Sequence, residues 1–135
     1  MSQENVEIVR AFYDRWDARD LTPAFQLLAS NVEWHTAPTS LSAGRTFHGV
    51  EAVLQHMDEL LDAEDTEQAE TSVERIVDLG EEVLVLEHEV YVGRASGVRT
   101  ETRPGGIYTV ANGRIVCVRG FMSHEEALEA VGLPE

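Results

Sequence analysis

The chain has 135 residues, a hydrophobic fraction of 43%, and 25 acidic against 10 basic residues, for a formal net charge of −15. That length fits one domain, residues 1–135, with a core that hides roughly two thirds of the extended-chain surface. Such an excess of negative charge, with no basic cluster to displace counterions, argues against nucleic acid and against a membrane surface as partners.

A lone cysteine, Cys117, has no internal disulfide partner, and a reducing, cytoplasmic setting is the expectation. The opening "MSQENVEIVR" lacks the basic and apolar segments of a signal peptide. No apolar run approaches the about 18 residues of a membrane span.

From Glu4 to Arg19, apolar Val6, Val9, Phe12, Tyr13 and Trp16 recur at three- and four-residue steps, which predicts an amphipathic helix. In "DLTPAFQLLAS", Thr22 as N-cap and Pro23 at the first helical position predict a short second helix through Leu28. "VEWHT" then alternates as a strand. "PTSLSAGRTFHG" reads as a loop, and Val50, Val53, Leu54, Met57 and Leu61 stripe a third helix that runs into the acidic "DAEDTEQAE", a solvated edge. From Thr71 the period becomes two. "TSVERIVDLG", "EEVLVLEHEVYVG", "GVRTETRPGGIYTVANG" and "RIVCVRGFM" read as strands, with a kink or bulge at "RPGG" and a hairpin turn at Asn112–Gly113. "SHEEALEAVGL" closes as a short helix, with Ser123 as cap and Gly132 as stop. Helices first and an antiparallel meander after them predict an α+β domain, with helices covering one face of a curved sheet.

Taken in order, "NVEIVRAFYDRWDARDL", "AFQLLASNVEW", "TFHGVEAV", "GRASGV", "YTVANGRIVCVRGF" and "ALEAVGL" resemble the SnoaL-like branch of the superfamily of ketosteroid isomerases, polyketide cyclases, limonene-type epoxide hydrolases and nuclear transport factor 2. The resemblance covers nearly the whole chain. It implies a cone-shaped, cystatin-like roll of about three N-terminal helices on a curved antiparallel sheet with a short C-terminal helix. It also implies a pocket between helices and sheet, and a homodimer formed through the sheet. The fold hosts both enzymes and binding modules, so function has to be argued from side chains.

Register with the family points Val32, Trp34 and Thr36 into the cone and sends Glu33 and His35 outward. On "VLEHEVY" it turns Val85, Glu87, Glu89 and Tyr91 inward and Leu86, His88 and Val90 away. Hydrophobicity alone argues the reverse, because Leu84, Leu86, Val90 and Val92 form the greasier face; a partner subunit covering the convex side would resolve the conflict.

The family's known catalytic sets fit poorly. The isomerase tyrosine falls on Phe12, its base on Thr36 and its second carboxylate on Gly106. A slip to Tyr13 turns the side chain by about 100°. Of the epoxide-hydrolase set, the first carboxylate matches Glu89, while the arginine position holds Glu87 and the second carboxylate falls on Gly120. The cyclase aspartate has no clean counterpart in "RGFMSHEE". Five histidines lack metal-site spacing, so no metal and no cofactor are expected.

What remains is Glu87 and Glu89, whose mutual repulsion in a desolvated pocket would raise one pKa. Phe12, Tyr13, Trp16, Trp34, Thr36, Met57, Tyr91 and Gly120 are the expected pocket lining. The expectation is an apolar pocket that binds a small hydrophobic molecule without the family's triads. The alternative is a cofactor-free acid/base isomerase, cyclase or hydratase on a small carbonyl compound, with Glu89 as proton carrier and Glu87 as its modulator.

Overall fold

The computed structural model describes residues 2–37 and 44–134; six residues of the predicted loop, Pro38 to Ala43, lie outside them. In chain order the elements are α1 (Ser2–Asp17), α2 (Leu21–Phe25), β1 (Leu28–His35), β2 (Thr46–His48), α3 (Val50–Asp62), β3 (Glu70–Asp78), β4 (Glu82–Val92), β5 (Arg99–Thr102), β6 (Gly105–Ala111), β7 (Arg114–Phe121) and α4 (His124–Ala130). This is the expected α+β arrangement. The sheet runs β2-β1-β7-β6-β4-β3, with β5 also paired to β4. Its pairs are antiparallel except β1 with β7.

Two helix details differ from expectation. α2 ends at Phe25, because Leu28 already pairs with Ile115 of β7. Its N-cap is Asp20, which puts Pro23 third in the helix, still within the first turn where a missing N–H costs no intrahelical bond. The short β2 strand falls within the stretch read as loop; Trp34 pairs there with Phe47. The C-terminal signals act as predicted. Ser123 Oγ accepts from the Glu126 N–H at 3.1 Å, and Gly132 adopts a left-handed φ of 72° to end the helix.

Alternation along β4 sorts the core into two layers. Val83 and Val85 join Val9, Phe12, Tyr13, Val32, Val53, Met57 and Tyr108 under the N-terminal helices. Leu84 and Leu86 join Ile107 beneath Ala127 and Leu128 of α4. Leu84 and Leu86 of the greasier face of β4 are thus covered by the chain's own C-terminal helix, so their burial needs no partner subunit. Gly105 makes the close approach possible, since a Cβ there would stand 2.6 Å from the Ala127 Cβ.

β5 and β6 are one strand broken at Arg103–Pro104, and both halves pair with β4. The Glu87 N–H donates to the Pro104 carbonyl at 2.9 Å, which carries the ladder across the break. The Asn112–Gly113 turn has both φ angles positive, 53° and 75°, as a two-residue hairpin with right-handed strand twist requires. Among the described residues no helix is long and apolar enough to cross a membrane.

Candidate acid–base site

Glu87 lies where β4 passes beneath α1. Val73 of β3 is its cross-strand neighbour, and the core layer under the helices contains Val73 and Val85. Tyr13 reaches down from α1 and its hydroxyl donates to Glu87 Oε2 at 2.9 Å. Tyr108 of β6 donates in turn to the Tyr13 hydroxyl at 2.7 Å. Both phenolic hydrogens are thereby committed, and no hydrogen bond to Glu87 Oε1 is found among the described residues.

Burial dominates the electrostatics. It pushes the Glu87 carboxyl up to about 8, with Glu89 adding to the rise and the Tyr13 hydrogen bond opposing it. Tyr13 and Tyr108 both sit well above the ordinary phenol value, first through burial and then through the nearby Glu87 charge. Glu89 is also raised, by burial and then by Glu64, while Arg19 draws it down. Glu87 and Glu89 nevertheless keep a partial opening to solvent. A carboxyl that keeps its proton at neutral pH has the titration a general acid needs.

Two glycines of the neighbouring strands sit in tight surroundings. Gly106 and Gly120 face each other across β6 and β7. A Cβ on Gly106 would come within 3.0 Å of the Tyr108 ring and 3.6 Å of the Tyr13 hydroxyl. One on Gly120 would meet the His35 carbonyl at 3.4 Å. His124 Nε2 stands 2.8 Å from the Glu87 carbonyl, where only an N–H can bond, and this ties α4 to the same point of β4.

The residues expected to line a pocket divide into groups. Phe12 lies at the centre of an aromatic cluster, with Tyr13, Phe25, Trp34 and Tyr108 rings 6.0–6.4 Å from its own. Met57 is buried in the same core. Trp16 carries the Arg19 guanidinium over its ring at 5.5 Å. Tyr91 is tethered, its hydroxyl donating to the Ala63 carbonyl at 3.0 Å. Thr36 is not brought to Glu87: it follows the end of β1, and its hydroxyl donates to the Arg45 carbonyl at 3.1 Å. Glu33 and His35 point outward as expected, Glu33 facing His48 at 3.6 Å and His35 meeting Thr46 at 2.9 Å.

Among the described residues, an open cleft of about 490 Å³ lies beside Leu28 and Val50 and another of about 150 Å³ beside Arg45 and His56, and neither is lined by Glu87 or Glu89. The aromatic cluster fills the space beneath the helices. No group of three or more metal-ligating side chains occurs among the described residues.

Sequence reasoning missed Tyr108, Arg19 and Glu64. Tyr108 was accessible to it, because alternation puts Gly106, Tyr108 and the buried Val110 on one face of β6.

A cone-like α+β roll with acidic and phenolic groups on its concave face defines the fold class, and the sequence narrows it. Residues 9–118 match the SnoaL-like domain, and the chain belongs to that family. No curated protein matches it. Among solved structures, an NTF2-like protein of unknown function from Burkholderia pseudomallei superposes with a TM-score of 0.78 at 22% identity, over 93% of this chain and 95% of that one. TerC, co-crystallised with polyporic acid, gives 0.77 at 15%, over 96% and 98%. A Xanthomonas campestris protein of unknown function with a cystatin-like fold gives 0.77 at 16%, over 96% and 98%. At these identities the likeness establishes the fold alone.

Proposed function

We propose that the protein binds a small hydrophobic carbonyl compound at the partly exposed Glu87–Glu89 edge of the helix-covered face and moves a proton on and off it without a cofactor. The observation that carries this reading is the one-way hydrogen-bond chain Tyr108 to Tyr13 to Glu87, which leaves Glu87 Oε1 as the uncommitted end. A carboxyl titrating near 8 is largely protonated at pH 7 and can donate from Oε1 to a ligand oxygen. Residues two apart on one face of a strand are separated by roughly 6.5–7 Å, which spans a C–C=O unit between their carboxyl groups. In this reading Glu89, as carboxylate, takes the hydrogen from the carbon beside the carbonyl while Glu87 bonds the oxygen. The enol that forms regains a hydrogen at carbon when the two steps reverse. Glu87 is then the proton donor and Glu89 the base, a different division from the one expected from sequence. The co-crystallisation of TerC, a protein of like fold, with polyporic acid supports a hydrophobic oxygenated ligand.

Binding without turnover is the second reading. It is favoured by Gly106 and Gly120, which occupy positions where relatives with known mechanisms place carboxylates. One experiment separates the two. Hydrogen exchange beside the carbonyl of β-tetralone is followed by proton NMR in heavy water. The acid–base reading expects acceleration over buffer that falls at least about 100-fold in Glu87→Gln. Binding of β-tetralone without acceleration leaves only the second reading, and neither binding nor acceleration contradicts both.

A further inference from the structure

Arg19 stands just past α1 with a left-handed φ of 57°. The Asp20 N–H bonds to the Arg15 carbonyl at 3.1 Å and the Arg19 N–H to the Trp16 carbonyl at 2.8 Å, the paired closure in which the left-handed position is usually glycine. Backbone preference therefore works against an arginine here. Its side chain is nevertheless only 10% exposed, and Nη2 lies 3.3 Å from Glu64 Oε1, itself on a side chain 8% exposed. Nη1 donates to the Trp16 carbonyl at 3.1 Å and reaches Thr71 Oγ1 at 3.5 Å. Nε is buried with no hydrogen-bond partner among the described residues. Burying such an ion pair loses about as much hydration as it regains in attraction, so stability does not explain it. Its location does. Thr71, which the guanidinium touches, is the cross-strand partner of Glu89 and shares its face of the sheet.

We infer that Arg19 is a positioning residue of the acid–base site: Glu64, Trp16 and Thr71 clamp its guanidinium so that a fixed positive charge faces the Glu89 carboxylate. The inference rests on the proton-transfer reading of Glu87 and Glu89 given above. The charged and titratable groups around Glu89 are Arg19 at the end of α1, Glu64 after α3, Glu87 and Tyr91 along β4, and Tyr108 on β6. Asp17, about half exposed, brings Oδ1 to 4.0 Å from Arg19 Nη1 and accepts the Thr71 N–H at 2.8 Å. The two halves of the ion pair act on Glu89 in opposite senses, Glu64 pushing it up and Arg19 drawing it down.

That opposition supplies the test. The Glu89 carboxyl is titrated by carbon-13 NMR in the full chain and in Arg19→Gln, Glu64→Gln and Arg19→Lys. Positioning by charge expects Glu89 to move up in Arg19→Gln and down in Glu64→Gln, each by about one pH unit, with Arg19→Lys close to the parent. A purely structural role would loosen the same packing in both neutral variants and move Glu89 in one direction. Same-sense displacement, or an unmoved Glu89, overturns the inference. Should Arg19→Gln not fold, a Glu64→Gln protein in which Glu89 fails to move down overturns it equally. The Glu87 titration in the same spectra judges the proton-transfer reading separately.

Discussion

Glu87 links the site to the stability of the fold. Its carboxyl is raised from the ordinary 4.5 to about 8, so between those values the native state holds a proton that the unfolded chain releases. Stability contributed by that group is present below 4.5 and is lost as pH rises toward 8, with a slope of up to ~1.4 kcal/mol per pH unit. Urea unfolding at a series of pH values should show this decline in the parent and a shallower one in Glu87→Gln, where the raised Glu89 remains; equal slopes would count against the assignment. Tyr13→Phe removes the hydroxyl that steadies ionised Glu87 and accepts from Tyr108. It is expected to move the Glu87 midpoint further up and to cost about 1–2 kcal/mol, measured by NMR titration and by urea. Register alone made Glu87 and Glu89 legible as inward carboxylates. The hydroxyl chain that holds Glu87 was not, because Tyr108 and Tyr13 are 95 residues apart and meet only through tertiary packing.

At the scale of elements, β4 and α4 decide what the sheet buries. Hydrophobicity favoured the Leu84–Leu86 face as core, and register favoured the Val85–Glu87 face. Both are covered, one by α4 and the other by α1, which is why neither argument alone settled the strand. Local chemistry was readable where it is self-contained: the Asn112–Gly113 hairpin, the Ser123 cap and the break at Pro104. It was not readable where pairing comes from afar, as for β2 or the early end of α2. Gly105→Ala tests the α4 contact. The added methyl would meet the Ala127 Cβ at 2.6 Å, and a loss of ~1–3 kcal/mol in urea unfolding is expected. An unchanged midpoint would mean that α4 docks more loosely than the geometry requires.

For the whole molecule, charge sets the conditions under which the fold persists. With a formal net charge of −15, self-repulsion weakens the compact state, and raising ionic strength from low to physiological salt should raise the thermal midpoint. A falling midpoint would show that specific ion pairs outweigh the repulsion. We also propose the homodimer that the family resemblance implies. Light scattering should then give twice the 15.0 kDa chain mass, and the single value would contradict it. Fold class was legible because periodicity, cap signals and segment order all pointed one way. Chemistry was less legible because this fold carries many functions, and here the family's usual catalytic positions hold Phe12, Thr36, Gly106 and Gly120.

The measurement that bears most directly on the proposed proton transfer is the carbon-13 NMR titration of the Glu87 side-chain carboxyl in the ligand-free protein. A midpoint of about 8 is expected, with the carboxyl still protonated at neutral pH. A midpoint near the ordinary 4.5 would mean an ionised, solvated glutamate, and Glu87 could not be the acid.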